Sequence, residues 1–132
     1  MKDFNDDHNC FVCGNKNPFG LKIEFHENRQ NNEIEAEVIF PVHLQGWQNT
    51  VHGGLLATVL DETMIKAAAM GDFKCVTAEI TVKYKKPAMT GTAYRAFGRT
   101  LEARGRIITA ESRLCDAGGQ VLAQATGKLF RV

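Results

Sequence analysis

The sequence has no long apolar run, no surplus of either charge and no block of basic residues, and each shortage removes a class of protein. Across 132 residues, 16 Lys and Arg face 15 Asp and Glu, a formal net charge of +1. A nucleic-acid-binding domain carries a basic stripe, often interleaved with aromatics, and there is none here. Small basic clusters remain, enough to hold a phosphorylated ligand. No stretch approaches the roughly 18 apolar residues that a membrane-crossing helix needs, so no membrane partner is expected. The opening MKDFNDDHN is polar and acidic, unlike a secretory signal, and the expected compartment is the cytoplasm. Four cysteines in that compartment read as thiols or metal ligands rather than a disulfide framework. A Gly-x-Ser-x-Gly elbow is also missing, which argues against a Ser–His–Asp hydrolase.

What is there reads as one domain. The apolar share of 44% and charged share of 23% are those of an ordinary globular chain. No repeat, low-complexity tract or linker divides residues 1–132. Residues 1–20 are loop-like, with Asn, Asp, Gly and the turn dipeptide Asn17-Pro18. Leu21, Ile23 and Phe25 alternate with polar residues, as do Ile34, Ala36, Val38 and Phe40, and the polar run Asn28–Asn32 between them reads as a hairpin turn. Four longer strands are predicted near 76–85, 94–101, 106–115 and 121–130. Between the two groups, a helix is predicted over about 53–71, apolar around most of its circumference and therefore buried. Two short strands, one helix and four strands give an α+β arrangement, an antiparallel sheet wrapped on one helix.

The chemistry concentrates on that helix. Gly53 and Gly54 open it, where N–H groups lack intrahelical partners and carry the positive end of the dipole. Without a Cβ, a ligand can approach this backbone closely, and a developing oxyanion at a thioester carbonyl would be held there. The same dipeptide is also an ordinary turn. Asp61 falls on the helix face of Gly54, Ala57 and Ala68, with Ile65 nearby. One carboxylate among small residues leaves room for an acyl group and makes a candidate base or nucleophile. Glu62 lies about 100° away and has Lys66 four residues on, the spacing of a helix-surface ion pair, so it reads as structural. His52 is placed to orient the turn, bond the thioester oxygen or relay a proton.

Together, Asn49-Thr-Val-His52-Gly-Gly, Asp61 nine positions after the histidine, and Thr77-Ala-Glu-Ile-Thr-Val-Lys-Tyr-Lys-Lys-Pro87 resemble the hotdog-fold thioesterase superfamily. The nearest type is that of phenylacetate-degradation and 4-hydroxybenzoyl-CoA thioesterases. Cys10-Phe-Val-Cys13-Gly…Asn17-Pro-Phe-Gly20-Leu is similar to one branch of small members. The resemblance implies a curved antiparallel sheet gripping one long central helix, and a homodimer or dimer of dimers whose sheets join edge to edge. Active sites would lie at the dimer interface. The implied reaction is hydrolysis of an acyl-CoA thioester, with no cofactor beyond the coenzyme A of the substrate. Gly53 N–H with His52 would polarise the carbonyl, and Asp61 would activate water or attack. Asn49 would orient the histidine or substrate, and Thr77 would place the water, although Thr77 falls on the polar side of its strand pattern. Gly54, Ala57 and Ala68 would border the acyl group. Lys85, Lys86, Arg104 and Arg106 are candidates for the CoA phosphates, with solvated surface charge as their other reading.

Two alternatives stay open: a hotdog hydratase or dehydratase, and a non-catalytic acyl-CoA-binding module. The His8-x-Cys10-x-x-Cys13 cluster has metal-ligand spacing, but a structural zinc site takes four ligands and no second pair follows. No metal is therefore expected, and this turn is expected to pack near the active-site mouth. Cys75 and Cys115 read as small buried residues.

Overall fold

The two periodicities of the sequence become two layers. The computed structural model describes residues 4–132, so residues 1–3 of the predicted N-terminal loop lie outside it. Six strands, β1 (His26–Asn28), β2 (Glu33–Ile39), β3 (Cys75–Tyr84), β4 (Ala93–Arg104), β5 (Ile107–Cys115) and β6 (Val121–Arg131), pack with one helix, α1 (Gly53–Met70). They form one sheet in the order β1-β2-β4-β5-β6-β3, with every neighbouring pair antiparallel. This is the hotdog fold.

Helix α1 forms where alanine, leucine and methionine recur without glycine or proline. It stops at Gly71, whose N–H donates to the Ala68 and Ala69 carbonyls. Its buried stripe is Leu56, Val59, Leu60, Thr63, Met64, Ala67 and Ala68. Against it the sheet presents mostly small residues, including Ala36, Ala96, Ala110, Ala123 and Ala125, all buried. Small side chains let the helix sit deep in the curve of the sheet. At Gly98 an added Cβ would stand 2.8 Å from Thr63 Cγ2 and 3.0 Å from the Thr63 carbonyl oxygen. The Ser112 hydroxyl completes the contact by donating to the Leu60 carbonyl at 2.8 Å.

Three local expectations change. The first short strand is not at 21–25: Lys22 takes a φ of 52°, and the Leu21 and Ile23 N–H groups donate to the Phe11 and Val12 carbonyls. That stretch pairs with the N-terminal segment, and β1 begins only at His26. The helix is not buried all round either, because Gly54, Ala57, Thr58, Asp61, Ile65 and Ala69 are half-buried or exposed. Finally, β3 does not keep one phase. Its pairing with β6 jumps between Thr77↔Leu129 and Glu79↔Lys128, so Ala78 is an extra residue in a bulge. Cross-strand partners share a face, so Thr77 shares the helix-facing side with buried Leu129 while Ile80 and Val82 stay on that side beyond the bulge.

The Gly98 contact is testable. Gly98→Ala should cost about 1–3 kcal/mol in urea unfolding, because the helix backbone cannot yield. Gly127→Ala should cost less, since its nearest obstacle is the flexible end of Met64, 2.9 Å away.

Candidate active site

His52 caps α1. With φ −59° and ψ 131° it is extended, and its side chain accepts from the Gly54 N–H, at 3.0 Å through Nδ1. That bond assigns the proton of the neutral ring to Nε2. It also divides the two glycines: Gly54 N–H is taken by the cap, whereas Gly53 N–H, at the first helical position, has no carbonyl within the helix to bond. Tyr84 closes one side by donating its hydroxyl to the Gly53 carbonyl at 2.7 Å. Two clefts meet at Gly53. One, of about 420 Å³, is lined by Gly46, Trp47, Thr50, Val51 and His52. The other, of about 270 Å³, is lined by Val51, Leu56, Tyr84, Lys85, Lys86 and Pro87.

Further along α1, Asp61 is half-buried. The Thr77 hydroxyl donates to Asp61 Oδ1 at 2.6 Å. The bulge makes this possible by turning Thr77 towards the helix. The short charge-assisted bond fixes the carboxylate and leaves Oδ2 for a water or an electrophile. Gly53 and Asp61 are eight residues apart, roughly 12 Å at 1.5 Å per residue. One thioester carbonyl cannot meet both groups of the same chain.

The other sequence-predicted residues are dispersed. Asn49 sits in the preceding loop with a φ of 59°, its N–H donating to Gln45 and its carbonyl accepting from Thr90. Among the described residues its side chain makes no hydrogen bond to His52, which Gly54 orients instead. Ala57 is half-buried beside Asp61, whereas Ala68 is completely buried in the core and borders no open space. It belongs to the stripe that meets the sheet. Lys85 and Lys86 stand beside the helix start. Arg104 and Arg106 lie at the β4–β5 hairpin, next to the start of β3 through β6, while Lys85 follows its end. Arg104 is also engaged by Glu102 at 3.0 Å. A single phosphate within one chain therefore cannot meet both pairs.

Sequence reasoning missed Tyr84, whose bond to Gly53 spans 31 positions and has no local signal. It also missed Trp47, an 86% exposed tryptophan beside the glycine turn, where the only tryptophan of the chain was a usable signal. Cys13, Cys75 and Cys115 offer no ready thiolate nucleophile. Burial pushes the Cys75 and Cys115 thiols up, and burial followed by the Glu62 carboxylate pushes Cys13 up to about 12.

The hotdog fold of this chain thus carries a helix N-terminus with an unbonded N–H and, farther along the same helix, a threonine-held carboxylate. Residues 48–123, more than half of the chain, match the family model of the thioesterase superfamily, and the chain belongs to that superfamily. Among solved structures, a thioesterase superfamily protein aligns over 100% of this chain and 68% of its own, with a TM-score of 0.88 and 24% identity. A Bacillus halodurans protein solved with CoA aligns over 85% of this chain and 75% of its own, at a TM-score of 0.74 and 28% identity. The E. coli PaaI protein of the phenylacetic acid degradation operon covers 84% of each chain, with a TM-score of 0.76 and 15% identity. No curated protein matches the chain. Among the described residues, no helix is long and apolar enough to cross a membrane.

The cap gives a direct expectation. His52→Ala should lower stability by about 1 kcal/mol, whereas His52→Asn, which restores an N-cap acceptor, should recover it. Thermal unfolding of both variants checks this.

Proposed function

We propose that this chain hydrolyses an acyl-CoA thioester to the free acid and coenzyme A, at sites shared between two copies. The observation that carries this reading is the Asp61 carboxylate, held on one oxygen by Thr77 and lying on a helix face that the chain's own core leaves half-covered. Asp61 takes a proton from water as the water oxygen attacks the thioester carbon; alternatively it attacks directly, forming an anhydride that water then cleaves. Charge gathers on the carbonyl oxygen, opposite Gly53 N–H and the Nε2–H of His52. The C–S bond breaks, and the departing thiolate takes up a proton. Lys85 and Lys86, beside the cleft at Gly53, are suited to the phosphates of coenzyme A. Neighbours solved with CoA and, for the Streptococcus mutans protein, with acetyl CoA support this ligand class.

The separation of roughly 12 Å between Gly53 and Asp61 supports a carbonyl-binding N–H supplied by a second copy. Strand β3 offers the joint. It is the terminal strand of the sheet, and it pairs only with β6, which leaves its other edge open to a second β3.

An acyl-CoA panel with thiol detection tests the reaction. Asp61→Asn should lower kcat about a hundredfold or more, and Thr77→Val about tenfold with KM little changed. Activity equal to wild type in Asp61→Asn would sink the mechanism. Hydration of an enoyl-CoA, or tight acyl-CoA binding without turnover, would favour the hydratase or binding-module readings.

Sharing between copies is tested by complementation. Gly53→Pro removes the N–H in question and fills the approach to it while keeping the helix start, because proline suits the first helical position and His52 already has the extended backbone that precedes it. Mixing Asp61→Asn with Gly53→Pro and allowing exchange should restore about a quarter of wild-type activity, since half the dimers then carry one intact site. If both groups of each site came from one chain, mixing would restore nothing.

A further inference from the structure

A cleft of about 590 Å³ lies remote from Gly53. It is lined by the N-terminal segment, the 23–27 stretch and the last turns of α1, with Cys13 and Lys66 in its wall. Beside it the fold brings a third ligand-type side chain to the Cys-x-x-Cys turn. One ligand atom each from Cys10, Cys13 and Glu62 lies within 4.8 Å of the others. We propose that these three residues form a zinc-type divalent metal site that fastens the N-terminal segment to α1.

The geometry fits the ion. In tetrahedral zinc with bonds of about 2.3 Å to sulfur and 2.0 Å to oxygen, two sulfur ligands stand roughly 3.8 Å apart and a sulfur and an oxygen roughly 3.5 Å. The Cys13 thiol donates to Glu62 Oε1 at 3.3 Å, within a few tenths of an ångström of that spacing, so an ion that replaces the proton needs little movement of either side chain. Both cysteines are free and half-buried. The turn is preorganised for two sulfurs on one side: the Gly14 N–H donates to the Cys10 carbonyl, and the Val12 N–H points at Cys10 Sγ at 3.4 Å. A backbone N–H aimed at a sulfur supports it as a thiolate ligand. The turn tolerates no larger residue at its close, since a Cβ on Gly14 would stand 2.3 Å from the Cys10 nitrogen. Val12 is buried at its centre, so the turn is anchored to the core rather than loose.

Charge closes the argument. On binding, each thiol releases its proton to solvent, and two thiolates plus one carboxylate exceed the dication by one negative charge. Lys66 stands 3.9 Å from Glu62 Oε1 and supplies the balance. With three protein ligands, a water completes the tetrahedron. Glu62 adjoins Asp61 in sequence but projects from a different face, so this metal fastens the helix and leaves the proposed acyl chemistry elsewhere.

The experiment titrates cobalt(II) into reduced, metal-free full-length protein, with zinc competition. The expected result is one saturable equivalent per chain, with thiolate-to-cobalt charge-transfer absorption and the strong visible bands of four-coordinate cobalt. Cys10→Ser/Cys13→Ser should abolish both. The near-isosteric Glu62→Gln should keep charge transfer but weaken binding about tenfold or more and alter the visible bands. Zinc should raise the Tm of the wild type and not of the double variant. Absence of saturable thiolate absorption in the wild type would overturn the proposal. So would affinity and visible bands unchanged in Glu62→Gln, an outcome that does not depend on the double variant folding.

Discussion

Everything in this molecule depends on how closely α1 approaches the sheet. Thr63 lies against a glycine of β4, Met64 against a glycine of β6, and the Leu60 carbonyl accepts the Ser112 hydroxyl of β5. These contacts come from consecutive turns of the helix, so they fix its rotation as well as its depth. Once rotation is fixed, each helix position has one destiny. Leu56, Val59 and Met64 face the sheet, while Asp61 and Glu62 are carried to the flanks on opposite errands.

The two carboxylates show how much such a rotation decides. Asp61 turns towards β3, where a single extra residue lets Thr77 reach it. Glu62 turns towards the N-terminal segment and meets Cys13, with Lys66 alongside. One residue of helix separates a carboxylate held by a hydroxyl from a carboxylate that meets a thiol. Their surroundings differ in kind: a hydroxyl donor on one side, soft sulfur ligands on the other. The same chain rigidity explains why the oxyanion donor and the carboxylate stand apart. They lie on one helix, roughly 12 Å apart along its axis, a spacing no side-chain rotamer can close.

The N-terminal turn of the helix is the other fixed point. His52 spends its Nδ1 on Gly54, which leaves Gly53 as the donor without an acceptor. Tyr84 then secures the opposite side of the peptide through the Gly53 carbonyl. With the group held from both sides, little reorganisation remains for the moment when charge develops on a bound carbonyl.

Alternation, helical spacing and the Gly53-Gly54 turn by themselves determined the α+β class, the single long helix and five of the six strands. They also singled out Asp61 over Glu62 as the carboxylate on the small-residue face. These features are periodic or local, so they survive in one dimension. The rest depends on partners distant in sequence. The bulge at Ala78 reverses the apparent facing of Thr77, because register is set by β6 and not by β3 itself. Ala68 shares its nominal face with Asp61 but is claimed by the core. The Cys10-x-x-Cys13 turn looked short of ligands because its third, Glu62, arrives 49 positions later, delivered by helix packing that no local pattern records.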